Sequence, residues 1–167
     1  EDVSEDARAN LEYLDMRLGA PLYGGDTVEV TTKVLGVRGS ARQPNLGIVH
    51  VQSTARKNLG ERDEAVVLTW QRKVQVYRRD ERASLQEGEV APDPVECALW
   101  LPPYDPGRGY AALAHLSSAD SWFEDFEPGT LIEHSRGRTM TDEHIHLTAV
   151  LDNTSQVHCN QHMIDLD

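Results

Sequence analysis

The clearest signal along the chain is alternation. From Thr27 to Val37, TVEVTTKVLGV sets Val28, Val30, Thr32 and Val34 on one side and mostly polar residues on the other, the pattern of a half-buried strand. GIVHVQSTARK repeats it, with Val49, Val51, Ser53 and Ala55 on one face. Residues 36–47, rich in Gly, Ser, Pro and Asn, read as the connection between these two runs. Asn58-Leu59-Gly60 predicts a hairpin turn, and the longest run follows from Ala65 to Arg78, bringing Val66, Leu68, Trp70, Val74 and Val76 together. Short turns between successive strands predict antiparallel pairing in a twisted meander, with one apolar face that must be covered.

The stretch upstream obeys two periods at once. Leu11, Leu14 and Leu18 make a helical stripe with Ser4 as a cap and Gly19 as a stop, while Leu14, Met16 and Leu18 alternate as on a strand. The periods leave both readings open. Pro21 to Asp26, rich in breakers, is a turn.

Beyond Asp80 the alternation stops. Five of the eight prolines fall between residues 80 and 120, which predicts a semi-rigid linker or an irregular wrap. Within it, Cys97-Ala-Leu-Trp100-Leu is too apolar for a free tether and is expected to pack. Pro128-Gly129 is a turn, and Thr130 to Met140 looks extended. Thr139 or Thr141, followed by Asp142 and Glu143, can open a helix that runs out at Asp152-Asn153. Asn153, Gln156 and His158 then arrive within six residues.

Charge narrows the choice of partner. With 28 acidic against 16 basic side chains the formal net charge is −12, which argues against nucleic acid and anionic membrane, both of which reward a basic face. Lysine is scarce, a composition that suits high salt and that an arginine-rich coding bias gives equally well. No apolar run approaches the length of a bilayer span. The stretch EDVSEDARAN has neither the basic region nor the apolar core of a signal peptide. Cys97 and Cys159 match no zinc spacing and read as reduced thiols, so a cytoplasmic setting is expected.

Chemistry concentrates late in the chain, where five of the seven histidines lie between His134 and His162. His144-x-His146 and His158-x3-His162 raise a zinc site, but positions two apart on a helix point away from each other, so no metal is expected. No nucleophile elbow, Walker A loop or dinucleotide-binding glycine pattern occurs. His158 is the residue best suited to exchange protons near neutrality, with Asn153 or Gln156 to hold a water beside it. Residue chemistry alone favours a histidine that only closes a helix exit, with Asn153 as a stop residue.

FEDFEPGTLIEHSRGRTMTDEHIHLTAVLDNTSQVHCNQHMID resembles the opening of a hot dog domain of the MaoC-like dehydratase family, in the branch that hydrates mesaconyl-CoA. ANLEYLDMRLGAPLYGGDTVEV is similar to that family's strand, G-D-T turn and next strand, which resolves the first ambiguity toward a strand. FEDF and NTSQVH carry the resemblance most specifically, whereas G-D-T turns recur throughout hot dog proteins. It implies an α+β hot dog fold, an antiparallel sheet wrapping a central helix. In the family a domain opens with the FEDF strand and the histidine-bearing helix and ends with the meander. Here the order is reversed. The chain is therefore expected to be the middle of a double hot dog: residues 1–79 ending one domain, 80–120 a linker, 121–167 opening the next. The central helices, with the backbone donors for a thioester enolate, are expected outside it.

The resemblance further implies reversible hydration of an enoyl-CoA thioester, mesaconyl-CoA in first place, without a cofactor. An unbranched (R)-specific hydratase and a non-catalytic acyl-CoA-binding or assembly module are the alternatives. His158 would be the base, with Asn153, where many relatives carry aspartate, holding the water. Asp152 is a candidate proton donor, and Arg136 and Arg138 are candidates for the substrate carboxylate. Acyl-CoA is the expected partner, with self-association through hot dog sheets.

Overall fold

A computed structural model describes residues 3, 5–101, 115–116, 122–134, 137–150, 155, 158 and 160–162. The chain divides into two compact units, Glu1–Trp100 with Thr141–Asp167, and Leu101–Met140. Among the described residues the first contains five strands: β1 (Ala7–Leu18), β2 (Val28–Gly39), β3 (Leu46–Lys57), β4 (Ala65–Tyr77) and β5 (Gly88–Glu89). They form one antiparallel sheet in the order β1-β4-β3-β2-β5. Residues 7–18 are a strand, as the resemblance implied.

β2, β3 and β4 follow one another as the alternation predicts, and the register lines up their apolar sides. Val30 faces Ala55, Thr32 faces Ser53 and Val34 faces Val51, while Ala55, Ser53 and Val49 face Leu68, Trp70 and Val74 on the other flank. Paired residues present their side chains to the same face, so the valine rows predicted strand by strand become one surface. Val51 and Val74 on it are fully buried. The β2 row is not: Val28, Val30 and Val34 are exposed. A register shift between Val34 and Gly36 interrupts the alternation there, and Leu35 is buried instead.

β1 departs from a simple meander. It pairs with β4 at the far edge and not with β2. The turn predicted from Pro21 to Asp26 therefore belongs to a connection that crosses the end of the sheet. It begins by extending the β1–β4 ladder, where the Gly19 and Ala20 N–H groups donate to the carbonyls of Val67 and Val66 at 2.9 and 3.0 Å. A Cβ on Gly19 would sit 2.2 Å from the Val66 carbonyl oxygen and 3.0 Å from the Cys97 sulfur.

The connection ends in a polar clamp. The Asp26 carboxylate accepts from the Tyr23 N–H at 2.9 Å, the Asn58 amide at 3.0 Å and the Lys57 ammonium at 3.1 Å. Lys57 also donates to the Pro21 carbonyl at 3.1 Å, and its ammonium lies 5.3 Å from the centre of the Tyr23 ring. Thr27 and Asn58 exchange two further bonds, at 2.8 and 2.9 Å. Asn58 occupies the left-handed region with φ 51°, which turns the chain out of β3 and aims its amide at Asp26. The Tyr23 N–H, then Asn58 and Lys57, hold the Asp26 carboxyl below its ordinary range.

The other face of the sheet is polar, and the proline-rich segment is held against it. β5 pairs with β2 through Gly88 and Glu89, and the Val90 N–H donates to the Leu35 carbonyl. Gln52, buried on β3, exchanges two bonds with the Asp93 backbone at 2.7 and 2.9 Å, and Lys33 pairs with the Asp93 carboxylate.

In the second unit, Phe123–Asp125 form a single 3-10 turn and not the strand implied for FEDF. The reason is local: the Asp125 carboxylate accepts the Trp122 N–H at 2.8 Å, which curls the backbone. The described residues between 130 and 140 join no ladder and are exposed. The helix predicted after Thr141 is α1, Asp142–Val150, which belongs to the first unit.

Gly19→Ala is expected to destabilise the fold by about 1–3 kcal/mol, the usual cost of overpacking, read as a lowered thermal midpoint. Asp26→Asn should unfold at lower urea concentration than wild type at neutral pH. Because the Asp26 carboxyl is held low when folded, its contribution is present above the ordinary carboxylate range of about 3.9. It is lost as pH falls through the lowered value. The gap between variant and wild type should close on acidification.

Candidate functional site

The sequence points to the end of α1 and the turn after it. Thr141 precedes the helix, and Asp142 and Glu143 occupy its first turn, where carboxylates suit the unpaired N–H groups. The Glu143 carboxyl is held below its ordinary range, first by the Thr141 hydroxyl and then by its own backbone N–H. The described side chains of α1 are exposed except His144, which is half-buried.

His158 lies eight residues past α1 in a short 3-10 turn. Its N–H donates to the Ser155 carbonyl at 3.1 Å, and Ser155 itself is buried. The imidazole is half-buried, and no described residue hydrogen-bonds it. That is a workable setting for a proton-exchanging group, since its ring nitrogens are not committed to the described fold. Two residues on, the Asn160 side chain accepts the His162 N–H at 3.1 Å, and His162 is exposed.

The other expected site residues divide. Asn153, Asp152 and Arg136 lie outside the described residues, as do Gln156 and Cys159. Arg138 is described and exposed. Among the described residues no group of three or more His, Cys, Asp or Glu side chains is placed to hold a metal ion. No helix among them is long and apolar enough to cross a membrane.

The sheet carries an apolar pocket that strand-by-strand reading did not reveal. Leu18 from β1, Val28 from β2, Ala55 from β3 and Leu68 from β4 line a cavity of 590 Å³ with Leu22 and Trp100. That volume falls in the range of small-molecule sites. The only advance signal was the apolar CALWL stretch, since Leu18, Val28 and Leu68 become neighbours through the register alone.

No protein-family profile matches the chain. It is 38% identical over 165 residues to the beta-methylmalyl-CoA dehydratase of Chloroflexus aurantiacus, which is 97% of this chain and 45% of that protein. It is 29% identical over 161 residues to the mesaconyl-CoA hydratase of Cereibacter sphaeroides, covering 94% of this chain and 45% of that protein. A solved MaoC domain protein dehydratase from Chloroflexus aurantiacus superposes with a TM-score of 0.77 at 36% identity, over 97% of this chain and 45% of that one. The chain thus spans about half the length of the relatives it matches, and nearly all of it is similar to MaoC-type dehydratases.

Proposed function

We propose that the protein is a hydro-lyase that adds water reversibly across the α,β double bond of an enoyl-CoA thioester, with mesaconyl-CoA and β-methylmalyl-CoA as the pair interconverted. What carries this reading is the match over 97% of the chain at 38% identity to a beta-methylmalyl-CoA dehydratase. The antiparallel sheet and its structural neighbour support a hot dog architecture, in which such a sheet wraps a central helix. Residues 1–79 and 121–167 are read as parts of successive hot dog domains joined by residues 80–120. Self-association through hot dog sheets and a cytoplasmic setting complete the proposal.

The chemistry asks for little. As the water oxygen bonds to the β-carbon, His158 takes one of its protons. The π electrons of the double bond move to the thioester, whose enolate oxygen needs preorganised N–H donors. The α-carbon then takes a proton, either from the His158 imidazolium or from a protonated Asp152 that the His158 proton afterwards restores, and the sum is one water added. Asn153 would orient the attacking water; an amide can hold a water but cannot take its proton. Arg138, exposed, and Arg136 are the residues proposed to meet the second carboxylate of a dicarboxylic substrate.

The apolar pocket lined by Leu18, Leu68 and Trp100 favours a second reading, a hydratase for unbranched acyl chains. Substrate choice separates the two. Loss of conjugated thioester absorbance should be fast with mesaconyl-CoA and slow with crotonyl-CoA. The reverse preference would select the second reading, and no loss with either would leave an acyl-CoA-binding or assembly module. His158→Ala should lower hydration by about 10²–10⁴-fold, the usual worth of a general base. Activity within a few-fold of wild type would remove His158 from the mechanism.

A further inference from the structure

Thr141 and His144 share an unusual pair of contacts at the start of α1. The Thr141 N–H donates to His144 Nδ1 at 3.1 Å, and the His144 N–H donates to the Thr141 carbonyl at 3.1 Å. With Asp142 as the first helical residue, Thr141 is the N-cap and His144 the third position. A glutamate or glutamine there commonly reaches back to the N-cap N–H and closes a capping box. Here an imidazole takes that place.

The protons in this cluster can be assigned. A backbone N–H can only donate, so Nδ1 must present its lone pair and the ring hydrogen must sit on Nε2. The Thr141 hydroxyl also lies 2.9 Å from Nδ1, but one lone pair cannot take both donors in full. The backbone N–H has a fixed direction and the hydroxyl can rotate its hydrogen away, so the backbone proton is the one assigned to Nδ1.

We propose that His144 is a pH-sensitive positioning residue, which caps α1 as a neutral imidazole and releases the helix start when it is protonated. Protonation places a hydrogen on Nδ1, where it meets the Thr141 N–H, and adds a cation at the end of the helix that favours anions. The charged and titratable groups that the described contacts bring to this end are Asp142, Glu143 and, through its interaction with Glu143, His146. Residues one and two apart on a helix do not face each other, and among the described residues none of the three makes an ion pair with His144. Arg138 is the nearest basic residue upstream, and the sequence holds no lysine or arginine after it.

The cap matters for a helix as short as α1. Its nine residues are fewer than an isolated helix needs to persist in water, and its described side chains are mostly exposed. The effect on catalysis, through the turn carrying His158 eight residues downstream, rests on the proposed function. The cap itself does not.

Amide hydrogen exchange of α1 in the full chain, corrected for intrinsic rates and compared between about pH 7.5 and pH 5.5, tests the proposal. Wild-type protection should fall about five-fold on acidification, the worth of one helix cap. His144→Glu, which restores the common capping box, should hold its protection, and His144→Ala should be poorly protected at both values. Constant wild-type protection would overturn the proposal, as would an equal fall in His144→Glu. Should His144→Ala fail to fold, nitrogen chemical shifts of the wild-type ring decide: a hydrogen on Nε2 at pH 7.5 supports the cap, and one on Nδ1 refutes it. In the activity arm, His144→Glu should keep more of its hydration rate at pH 5.5 than wild type. Absence of hydration at every pH would remove the proposed function and leave the cap to stand or fall by exchange.

Discussion

The Asp26 carboxylate is the point on which the sheet's connectivity depends. β1 and β2 are adjacent in sequence and separated in space by two strands, so the segment between them must cross the sheet end and stop at a defined place. Hydrophobic pairing cannot set that stop, because the crossing residues Leu22 and Tyr23 are exposed. Lys57 and Asn58 at the end of β3 set it instead, by binding Asp26 and, through Lys57, the Pro21 carbonyl. The Lys57 and Asp26 side chains are 9% and 13% exposed, so the ammonium is nearly dry and must keep its partners. With that end fixed, β2 pairs with β3 from Val28 onward, in one register as far as Val34, and the apolar pocket gains Val28 as a wall.

Much of this was legible in the residues. Strict alternation in β2, β3 and β4 and the Asn58-Leu59-Gly60 turn predicted three strands and their pairing, because side-chain period and turn chemistry act over a few residues. β1 was ambiguous because Leu11, Leu14, Met16 and Leu18 satisfy two periods, and pairing with β4 resolves it through contacts distant in sequence. The β1–β4 neighbourhood itself had no local signal. Neither did the docking of Asp93 on Gln52, which pairs a proline-rich segment with a strand 41 positions away.

The site shows the same division. Thr141, Asp142 and Glu143 announced the helix start through capping chemistry, and α1 begins there. FEDF resembled a strand, yet an aspartate three residues after Trp122 curls it into a turn, a side-chain-to-backbone bond that residue similarity does not weigh. His158 was singled out by the family resemblance and not by residue chemistry, and its neighbours Asn153 and Asp152 lie outside the described residues. His144 drew notice first as a candidate metal ligand. Its assigned role comes from a hydrogen-bond direction that only coordinates disclose.

The central claim is that this protein moves water onto and off an enoyl-CoA. Turnover of mesaconyl-CoA in water enriched with oxygen-18, followed by mass spectrometry of the product, tests it most directly. The account predicts one heavy oxygen per product molecule, in a hydroxyl on the β-carbon. Recovery of unchanged thioester, or a product whose heavy oxygen lies only in a carboxylate freed from the thioester, would contradict it.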